Sequence, residues 1–471
     1  MAWGTNTVVR VTGDPVRRLT GTSARGSTCA APVAAPPPVL PVPREPYDLS
    51  APPTPRSSRR RPVRRDRRAG RHGHQRGRLA GAPAGLVDPV LHPKPPPGSV
   101  EQVADLLRAG RYGDAIGIAR MIATPQAVWF TSGTPKEVRK AVHSTVAQAT
   151  AQHAVPTLVV YNVPGRDCSQ YSSGGAGSDA AYRAWIDGFA AGLRKDQRVI
   201  VVVEPDGLAN LPSDCPAAYP GQDVAALTKG RIADIKYAGE RILKANSKAL
   251  VYLDAGHSAW HSVGDISQRL DQAGVRQFQG FSLNVSNYQP TPQLIQYASW
   301  ISKCIYYVHN AAPNNGANVG QYGNCASQYY PASPNDYGTW KLTDAWYAAN
   351  VDKAAGHPTS ASQVAHAVLD TSRNGQGPWT PPATANYPDP QTWCNPPGRG
   401  LGLRPTARTG HAWIDAYLWI KTPGQSDGQC NRGVAGSTTD PEWGGITDPA
   451  AGAWFGQQAL QLVRLANPRS S

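Results

Sequence analysis

Four carboxylates follow four different apolar segments of the chain, and each segment ends close to its acid. They are Asp167, Asp206, Asp254 and Asp427. Like charges that crowd against low-dielectric walls raise one another's pKa. A protonated acid next to an ionised partner is what cleavage of a glycosidic bond requires. Such acids can also cap helices or bind arginines, but four together beside aromatic residues favour a functional site.

Tryptophans and polar side chains near these acids indicate the class of substrate. Trp129 ends an apolar segment, Trp260 lies in AGHSAW and Trp393 precedes a cysteine. Sugar rings stack their C–H faces on indole rings. A single tryptophan is more often part of a core, but three near the acids predict a neutral glycan rather than a nucleic acid. The polar residues available for sugar hydroxyls are Asn284, Arg373 and Lys421.

Apolar segments alternate with helical patterns from about residue 98 onward. Segments predicted as strands are 127–130, 157–163, 198–204, 249–256, 280–285, 304–309, 366–372 and 414–421. Apolar residues at helical spacing predict helices at 101–111, 135–152, 178–196 and 222–245. Strands that are apolar on both faces, with helices between them, indicate a parallel sheet covered by helices. Seven or eight such units favour a β/α barrel with its site at the C-terminal strand ends.

The basic charge of the chain is concentrated at its N-terminal end. Residues 1–85 hold sixteen arginines, no lysine and four acidic residues, so they carry +12 of the formal net charge of +15. With its many prolines, this segment is predicted to be disordered over residues 1–88. It could be a nucleic-acid-binding arm, an anionic surface tether, an unstructured leader or the product of a misassigned start. Residues 89–471 then form the folded domain.

Cysteine usage indicates an exported protein. Six cysteines of the folded part fall into three sequential pairs, although six permit 15 connectivities. They are Cys168, Cys215, Cys304, Cys325, Cys394 and Cys430. None has metal-ligand spacing, so disulfides are the better account. No secretory signal follows Met1 and no apolar stretch of about 18 residues occurs. We therefore expect a secreted protein that does not bind a membrane, with a start other than Met1.

Two long motifs of the sequence resemble glycoside hydrolase family 6, which contains inverting β-1,4-glucanases of the endoglucanase and cellobiohydrolase types. They are VVYNVPGRDCSQYSSGGAG (159–177) and VIVVVEPDGLAN (199–210). Shorter matches are YLDAGHSAW, LNVSN, DTSRNG, GLGLRPTARTG and LWIKTPGQSDG, and the resemblance covers about residues 90–468. It implies an α/β fold, a distorted TIM-like β/α barrel of about seven parallel strands. It also implies hydrolysis of cellulose or soluble β-1,4-glucan without a metal or other cofactor, by a chain expected to be monomeric.

The same resemblance implies roles for individual residues. Asp206 corresponds to the general acid, and Asp167 to a carboxylate that raises the acid's pKa and orders water. Asp427 corresponds to the residue usually proposed as the base, and Tyr161 and Ser173 to positions that shape the sugar and hold water. Sugar-binding positions are matched by Trp129, Trp260, Trp393 and Lys421, and less specific motif positions by Asp254 and Asn284.

Departures from the family pattern and loop lengths bear on the mode of action. Gln425 stands where many relatives carry glutamate, and Val263 stands where some cellobiohydrolases carry a second tryptophan. Only 47 positions separate Cys168 from Cys215, and the loop after Cys430 is modest. Neither loop is long enough to cover a glucan chain, so we expect an open cleft and an endoglucanase, although the 310–340 loop could cover one end. The alternatives are a cellobiohydrolase and a non-catalytic glucan-binding barrel.

Overall fold

The computed structural model of the protein describes residues 91–310 and 319–469. The segment 1–88, predicted to be disordered, lies outside these residues, as does part of the 310–340 loop. The described strands are β1 (Val128–Phe130), β2 (Thr157–Val160), β3 (Val199–Val203), β4 (Ala249–Asp254), β5 (Gly280–Leu283), β6 (His366–Asp370) and β7 (Ile414–Leu418). The described α-helices are α1 (Ser99–Arg108), α2 (Tyr112–Ile122), α3 (Pro135–Ala151), α4 (Asp179–Gly192), α5 (Val224–Ala245), α6 (Val263–Gln272), α7 (Thr291–His309), α8 (Trp340–Tyr347) and α9 (Gly456–Arg464).

The seven strands form one parallel sheet in the order β1 to β7. The sheet curls until its two edges meet, and the Ala127 amide donates to the Trp419 carbonyl at 3.0 Å. Every residue of β2, β3 and β5 is buried, as is every residue of β6 and β7. Burial on both faces is typical of a parallel sheet covered by helices. The predicted distorted barrel of about seven strands is therefore confirmed.

Helix starts along the chain follow from local capping. At the start of α3, the Thr134 hydroxyl accepts from the Glu137 amide at 3.3 Å, and the Glu137 carboxylate accepts from the Thr134 amide at 2.8 Å. Pro135 occupies the first helical position, where its missing N–H costs nothing. Ser178 caps α4 in the same way by accepting from the Ala181 amide. These caps fix where the chain turns from the strand ends back along the sheet.

One predicted strand, residues 304–309, is wrong. The segment is the last part of α7, not a strand of the sheet. Its residues from Cys304 to Val308 are all buried, so the helix shows no polar face over this stretch. A short run that is apolar all round does not distinguish a buried helix from a buried strand. The other seven predicted strands are present, and most of them end earlier than predicted. β3 and β5 end where Glu204 and Asn284 adopt a left-handed backbone, which cannot continue a strand.

Three disulfides link sequential cysteines, so the predicted pairing is confirmed. They join Cys168 to Cys215, Cys304 to Cys325, and Cys394 to Cys430. The first bond lies beside Asp167 and the third lies near Asp427, so both brace loops that carry predicted site residues. None of the helices within residues 91–310 and 319–469 has the length and apolar character needed to span a bilayer.

A buried ion pair links β6 to β7. His366 Nδ1 lies 2.6 Å from Asp415 Oδ1, and His366 Nε2 lies 2.8 Å from the Ala361 carbonyl. Both ring nitrogens face acceptors, so the imidazole donates from both and carries a charge. Asp415 also accepts from the Tyr252 hydroxyl and the Gln279 amide. Burial lowers the pKa of His366, but the hydrogen bond and charge of Asp415 outweigh it and leave the pKa above its usual value.

This ion pair predicts a pH dependence of stability. A histidine whose pKa is raised by folding stabilises the fold fully below its unfolded pKa of about 6.5, and this contribution is lost as pH rises through the folded pKa. We expect the unfolding free energy of the wild type to fall more between pH 6 and 9 than that of His366→Gln. Urea denaturation at several pH values measures both. Equal pH slopes in the two proteins would contradict a charged His366.

Candidate active site

A cavity of about 390 Å³ opens at the C-terminal ends of the strands. The strands are in register there, with Val160 opposite Val203, and Val203 opposite Leu253. Segments that leave neighbouring strands at one level therefore meet at one mouth. The predicted site residues that line the cavity are Trp129, Tyr161, Asp167, Asp206, Trp260, Trp393, Lys421 and Asp427.

Asp206 lies in the turn that follows β3, with a left-handed backbone (φ 63°). This conformation is uncommon for a non-glycine residue and is concentrated at functional sites. Its amide donates to Asp254 Oδ1 at 2.9 Å, which fixes the turn. Its own Oδ1 is buried without a hydrogen-bond partner. Burial, followed by the charges of Asp254 and Asp167, raises the pKa of Asp206 well above its usual value, which favours the protonated form of this side chain.

Asp254 is buried beneath Asp206 and does not line the cavity. Its carboxylate accepts from the Asp206 amide, from the Gly256 amide at 3.1 Å and from the Ser282 hydroxyl at 2.8 Å. Burial raises the pKa of Asp254 to about 7, although these donors act in the opposite direction. The three donors favour the charged form of Asp254, and a charge on Asp254 raises the pKa of Asp206.

Glu204 points away from the cavity and supports the site from below. It is fully buried and accepts from the Asn162 and Val163 amides and from the Tyr182 hydroxyl at 2.8 Å. Through these bonds it ties the end of β3 to the end of β2. Glu204 and Asp206 therefore have different roles, because only Asp206 lines the cavity.

Asp427 is held by two cations. Arg373 donates from two nitrogens to the two carboxylate oxygens, at 2.9 and 3.0 Å, and Lys421 Nζ lies 3.0 Å from Oδ1. The Tyr288 hydroxyl and the Asn395 amide also donate to Oδ2. Burial alone would raise the pKa of Asp427, but the two cations lower it to about 2. Asp427 is therefore an anion down to about pH 2, whereas the pKa of Asp206 is raised in the same cavity.

Asp167 follows β2 and also has a left-handed backbone (φ 60°). Its Oδ2 accepts from the Ser172 amide at 2.7 Å. Burial raises the pKa of Asp167 to about 6, against the effects of Ser172 and Arg166. The Arg166 guanidinium lies over the Tyr161 ring, 4.6 Å from its centroid, and the Tyr161 ring faces the cavity. This carboxylate is therefore poised to exchange a proton near neutral pH.

The three predicted tryptophans all line the cavity, and each contacts a neighbouring residue. Trp129 donates from Nε1 to the Ile420 carbonyl at 2.8 Å and meets Tyr161 edge to face. Trp260 stacks on His261 with centroids 5.6 Å apart. Trp393 lies against the Tyr171 ring at 5.9 Å. All three are only partly buried, so each offers an aromatic surface to a sugar ring.

Four residues predicted for the site do not line the cavity: Asp254, which lies beneath Asp206, Arg373, which is fully buried against Asp427 and so is not available for sugar hydroxyls, and Ser173 and Asn284. Ser173 is exposed, and its neighbour Ser172 contributes to the wall instead. Asn284 is fully buried, where its side-chain amide donates to the Asp370 carbonyl at 2.9 Å. Its Oδ1 accepts from the Gln289 amide, so Asn284 shapes the loop that carries Tyr288.

Several wall residues were not predicted from the sequence. Tyr288, His257 and Asn210 line the cavity. Burial raises the pKa of Tyr288 well above its usual value and lowers the pKa of His257 to about 4, so both side chains are neutral hydrogen-bonding groups. Tyr288 lies three residues after the predicted strand 280–285, and His257 lies within AGHSAW, so proximity to a predicted strand end was the signal that could have identified both.

Among the described residues, one group of side chains has the spacing of metal ligands: Cys430, Asp440 and Asp448. It does not fit a metal, because the Cys430 sulfur is bonded to Cys394 and Asp440 is paired with the buried Arg432 guanidinium. A thiolate and free carboxylates are what a cation would need.

A parallel β/α barrel with interacting carboxylates and three tryptophans around one cavity at the strand ends has the arrangement of a glycoside hydrolase. The sequence profile of Glycosyl hydrolases family 6 matches residues 90–466. The chain belongs to this family.

Similar proteins, both named relatives and proteins of solved structure, agree with this assignment. Endoglucanase A of Thermobispora bispora is 34 % identical over 310 residues, which span 66 % of this chain but only 52 % of that protein. Endoglucanase 1 of Streptomyces halstedii is 32 % identical over 363 residues, 76 % of this chain and 89 % of that protein. An endoglucanase structure from Mycobacterium tuberculosis, in complex with a thio-linked cellobioside, is 30 % identical with a TM-score of 0.55 and covers 82 % of this chain and all of that one.

Proposed function

We propose that the protein is an exported endo-β-1,4-glucanase that cleaves cellulose chains with inversion at the anomeric carbon. The observation that carries this proposal is that one cavity holds two carboxyl groups in opposite surroundings. Asp206 Oδ1 is buried without a hydrogen-bond partner, and this burial raises the pKa of Asp206, whereas Asp427 is paired with Arg373 and Lys421, which lower its pKa to about 2. A protonated acid and a permanent anion on the same glycan-binding cavity supply the two forms that glycoside hydrolysis needs. A barrel that only binds glucan gives no reason for this arrangement.

In the proposed reaction, Asp206 donates its proton to the departing glycosidic oxygen while water attacks the anomeric carbon from the opposite face. Burial and the negative charges of Asp254, Asp167 and Asp427 keep the proton on Asp206 before the reaction, because they disfavour a further anion. The Asp427 carboxylate also faces the positive charge that develops on the sugar ring. Trp129, Trp260 and other cavity residues hold the flanking sugars.

Two carboxylates compete for the role of base in this reaction. Asp427 takes four donors and has a low proton affinity, since its pKa is about 2. Asp167 takes one backbone donor and has a pKa of about 6, which suits a group that accepts a proton near neutral pH. We propose that the proton of the attacking water passes toward Asp167, while Asp427 acts mainly through its fixed charge.

Endo action is supported by the short loops and by the names of the relatives above 30 % identity. One observation favours a cellobiohydrolase instead. The Tyr171 hydroxyl donates to Asn431 Oδ1 at 3.0 Å, so the loop after Cys168 touches the loop after Cys430 beside the cavity. A relative from Aspergillus terreus, 29 % identical over 66 % of this chain, is named as a probable 1,4-beta-D-glucan cellobiohydrolase C. The exo mode is therefore the second candidate.

Hydrolysis of carboxymethyl cellulose tests both proposals. An endoglucanase lowers viscosity steeply while few reducing ends form, and a cellobiohydrolase releases reducing sugar with little loss of viscosity. NMR of the fresh product from cellohexaose reports the anomer, and α-product indicates inversion. A protein that releases no reducing sugar from any β-1,4-glucan contradicts the proposed function altogether.

A further inference from the structure

Two tyrosines lie exposed on the outer side of Trp260 without lining the cavity. Tyr329 is 43 % exposed and Tyr330 is 78 % exposed. The Tyr329 hydroxyl donates to the Trp260 carbonyl at 3.2 Å, so the pair lies next to one wall of the cavity. Neither is part of the cavity lining. Exposed aromatic rings that adjoin a cavity wall are placed to contact a chain that extends out of the cavity.

The loop that carries the tyrosines is braced against the Trp260 loop. Gln328 is fully buried, and its Nε2 donates to the Ser258 carbonyl at 3.0 Å and to the His261 carbonyl at 2.8 Å. The Ser327 amide donates to the Tyr330 carbonyl at 2.7 Å, which closes a tight turn. The two rings are thus presented by a turn whose position relative to Trp260 is fixed.

A second set of bonds anchors the same turn to α8. The Thr343 hydroxyl donates to the Ser327 carbonyl at 2.8 Å, and the Tyr347 hydroxyl donates to the Ala326 carbonyl at 2.9 Å. The disulfide from Cys325 to Cys304 ties the preceding residue to α7. Because these bonds hold the turn rigid, less conformational entropy is lost when the tyrosine rings bind a ligand.

The chemistry of the loop indicates what it binds. Residues 319–335 contain no Asp, Glu, Lys or Arg. A neutral surface of hydroxyls, amides and phenol rings suits an uncharged polymer and offers nothing for phosphates. Phenol rings pack against the C–H faces of pyranose rings as indoles do. The surface also continues from Trp260, a wall of the cavity in which the glucan is proposed to lie.

We propose that Tyr329 and Tyr330 form an accessory glucan-binding surface that extends the cavity beyond Trp260 and contacts sugars far from the cleaved bond. This inference rests on the proposed function. Through this surface, the folded domain itself binds long glucan chains. Short oligosaccharides that end at Trp260 do not reach this surface, so its contribution depends on chain length.

The test compares Tyr330→Ala and the double variant Tyr329→Ala/Tyr330→Ala with a control, Tyr112→Ala. Tyr112 is 64 % exposed at the start of α2 and does not line the cavity. Adsorption to phosphoric-acid-swollen cellulose and KM for carboxymethyl cellulose report long chains, and KM for cellotetraose reports short ones. We expect adsorption to weaken and KM for the polymer to rise about three- to tenfold in the double variant. KM for cellotetraose should stay within about twofold, and the control should match the wild type.

The outcomes separate this inference from the proposed function. If the wild type hydrolyses the polymer and the double variant adsorbs equally well, the accessory surface is refuted while the glucanase stands. If sedimentation shows that the tyrosine variants lose a dimer and keep their affinity for the polymer, the surface is a contact between copies and the inference is again wrong. An inactive wild type refutes the proposed function first. Tyr330 is mostly exposed, and the Tyr329 side chain makes one hydrogen bond, to the Trp260 carbonyl, so circular dichroism should show a native fold in every variant.

Discussion

Replacing Asp206 by asparagine should lower kcat for carboxymethyl cellulose by about 10²- to 10⁴-fold, the range of general-acid catalysis. The amide has the size of the carboxyl group but has no acidic proton to donate. Asp206 Oδ1 has no hydrogen-bond partner, and the backbone amide that contacts Asp254 is unchanged by the substitution. The fold and the affinity for cello-oligosaccharides should therefore remain, and the loss should fall on kcat. Steady-state kinetics with isothermal titration of cellotetraose measures both quantities.

The leaving group provides the control for this prediction. A dinitrophenyl cellobioside departs without protonation, so Asp206→Asn should lose far less activity on it than on the polymer. The alkaline side of the wild-type pH profile should also disappear in the variant, because activity falls when Asp206 loses its proton as pH rises. Near-normal turnover of the polymer by Asp206→Asn would remove Asp206 from the acid role.

The sequence was most informative where chemistry and a strand end coincide. The carboxylates Asp167, Asp206 and Asp427 each follow a strand of one parallel sheet, and the geometry of such a sheet brings strand ends to one edge. The predicted strand 304–309 failed because burial on all sides removes the polar face that marks a helix. Local pattern therefore predicts position along the sheet better than it predicts the type of a short buried element.

The depth of a residue in the site was not predictable from spacing. Asp254 and Asp206 both stand at strand ends, but only the turn after β3 lifts its carboxylate into the cavity. Asn284 is buried and forms hydrogen bonds with the Asp370 carbonyl, which is distant in the sequence, and with the Gln289 amide, which lies in a loop. The same holds for charge state, since nothing in TPGQSDG shows that Arg373, 54 residues away, fixes Asp427 as an anion.

Arg373 is the residue whose loss should disturb the site most broadly. It is fully buried, makes a two-pronged ion pair with Asp427, lies over the Tyr288 ring at 4.6 Å and donates to the Ser286 carbonyl. In Arg373→Met, Asp427 keeps only Lys421 as a cation. Removing one partner of a buried ion pair typically costs about 3–5 kcal/mol of unfolding free energy. We expect a loss of this size together with a rise in the pKa of Asp427.

A double-mutant cycle with Asp427→Asn tests whether the pair acts as a unit. Asp427→Asn alone leaves the buried Arg373 guanidinium without its carboxylate and removes the anion that helps keep Asp206 protonated, so both stability and kcat should fall. Adding Arg373→Met should cost less stability than it does in the wild type, because no unpaired carboxylate remains to be buried. Urea denaturation of the four proteins gives the coupling energy between Arg373 and Asp427. The kcat values of the same proteins report separately the effect of losing the Asp427 charge. Additive stability losses would show that Asp427 is held by its other donors, and Arg373 would then contribute to the site only through the loop that carries Tyr288.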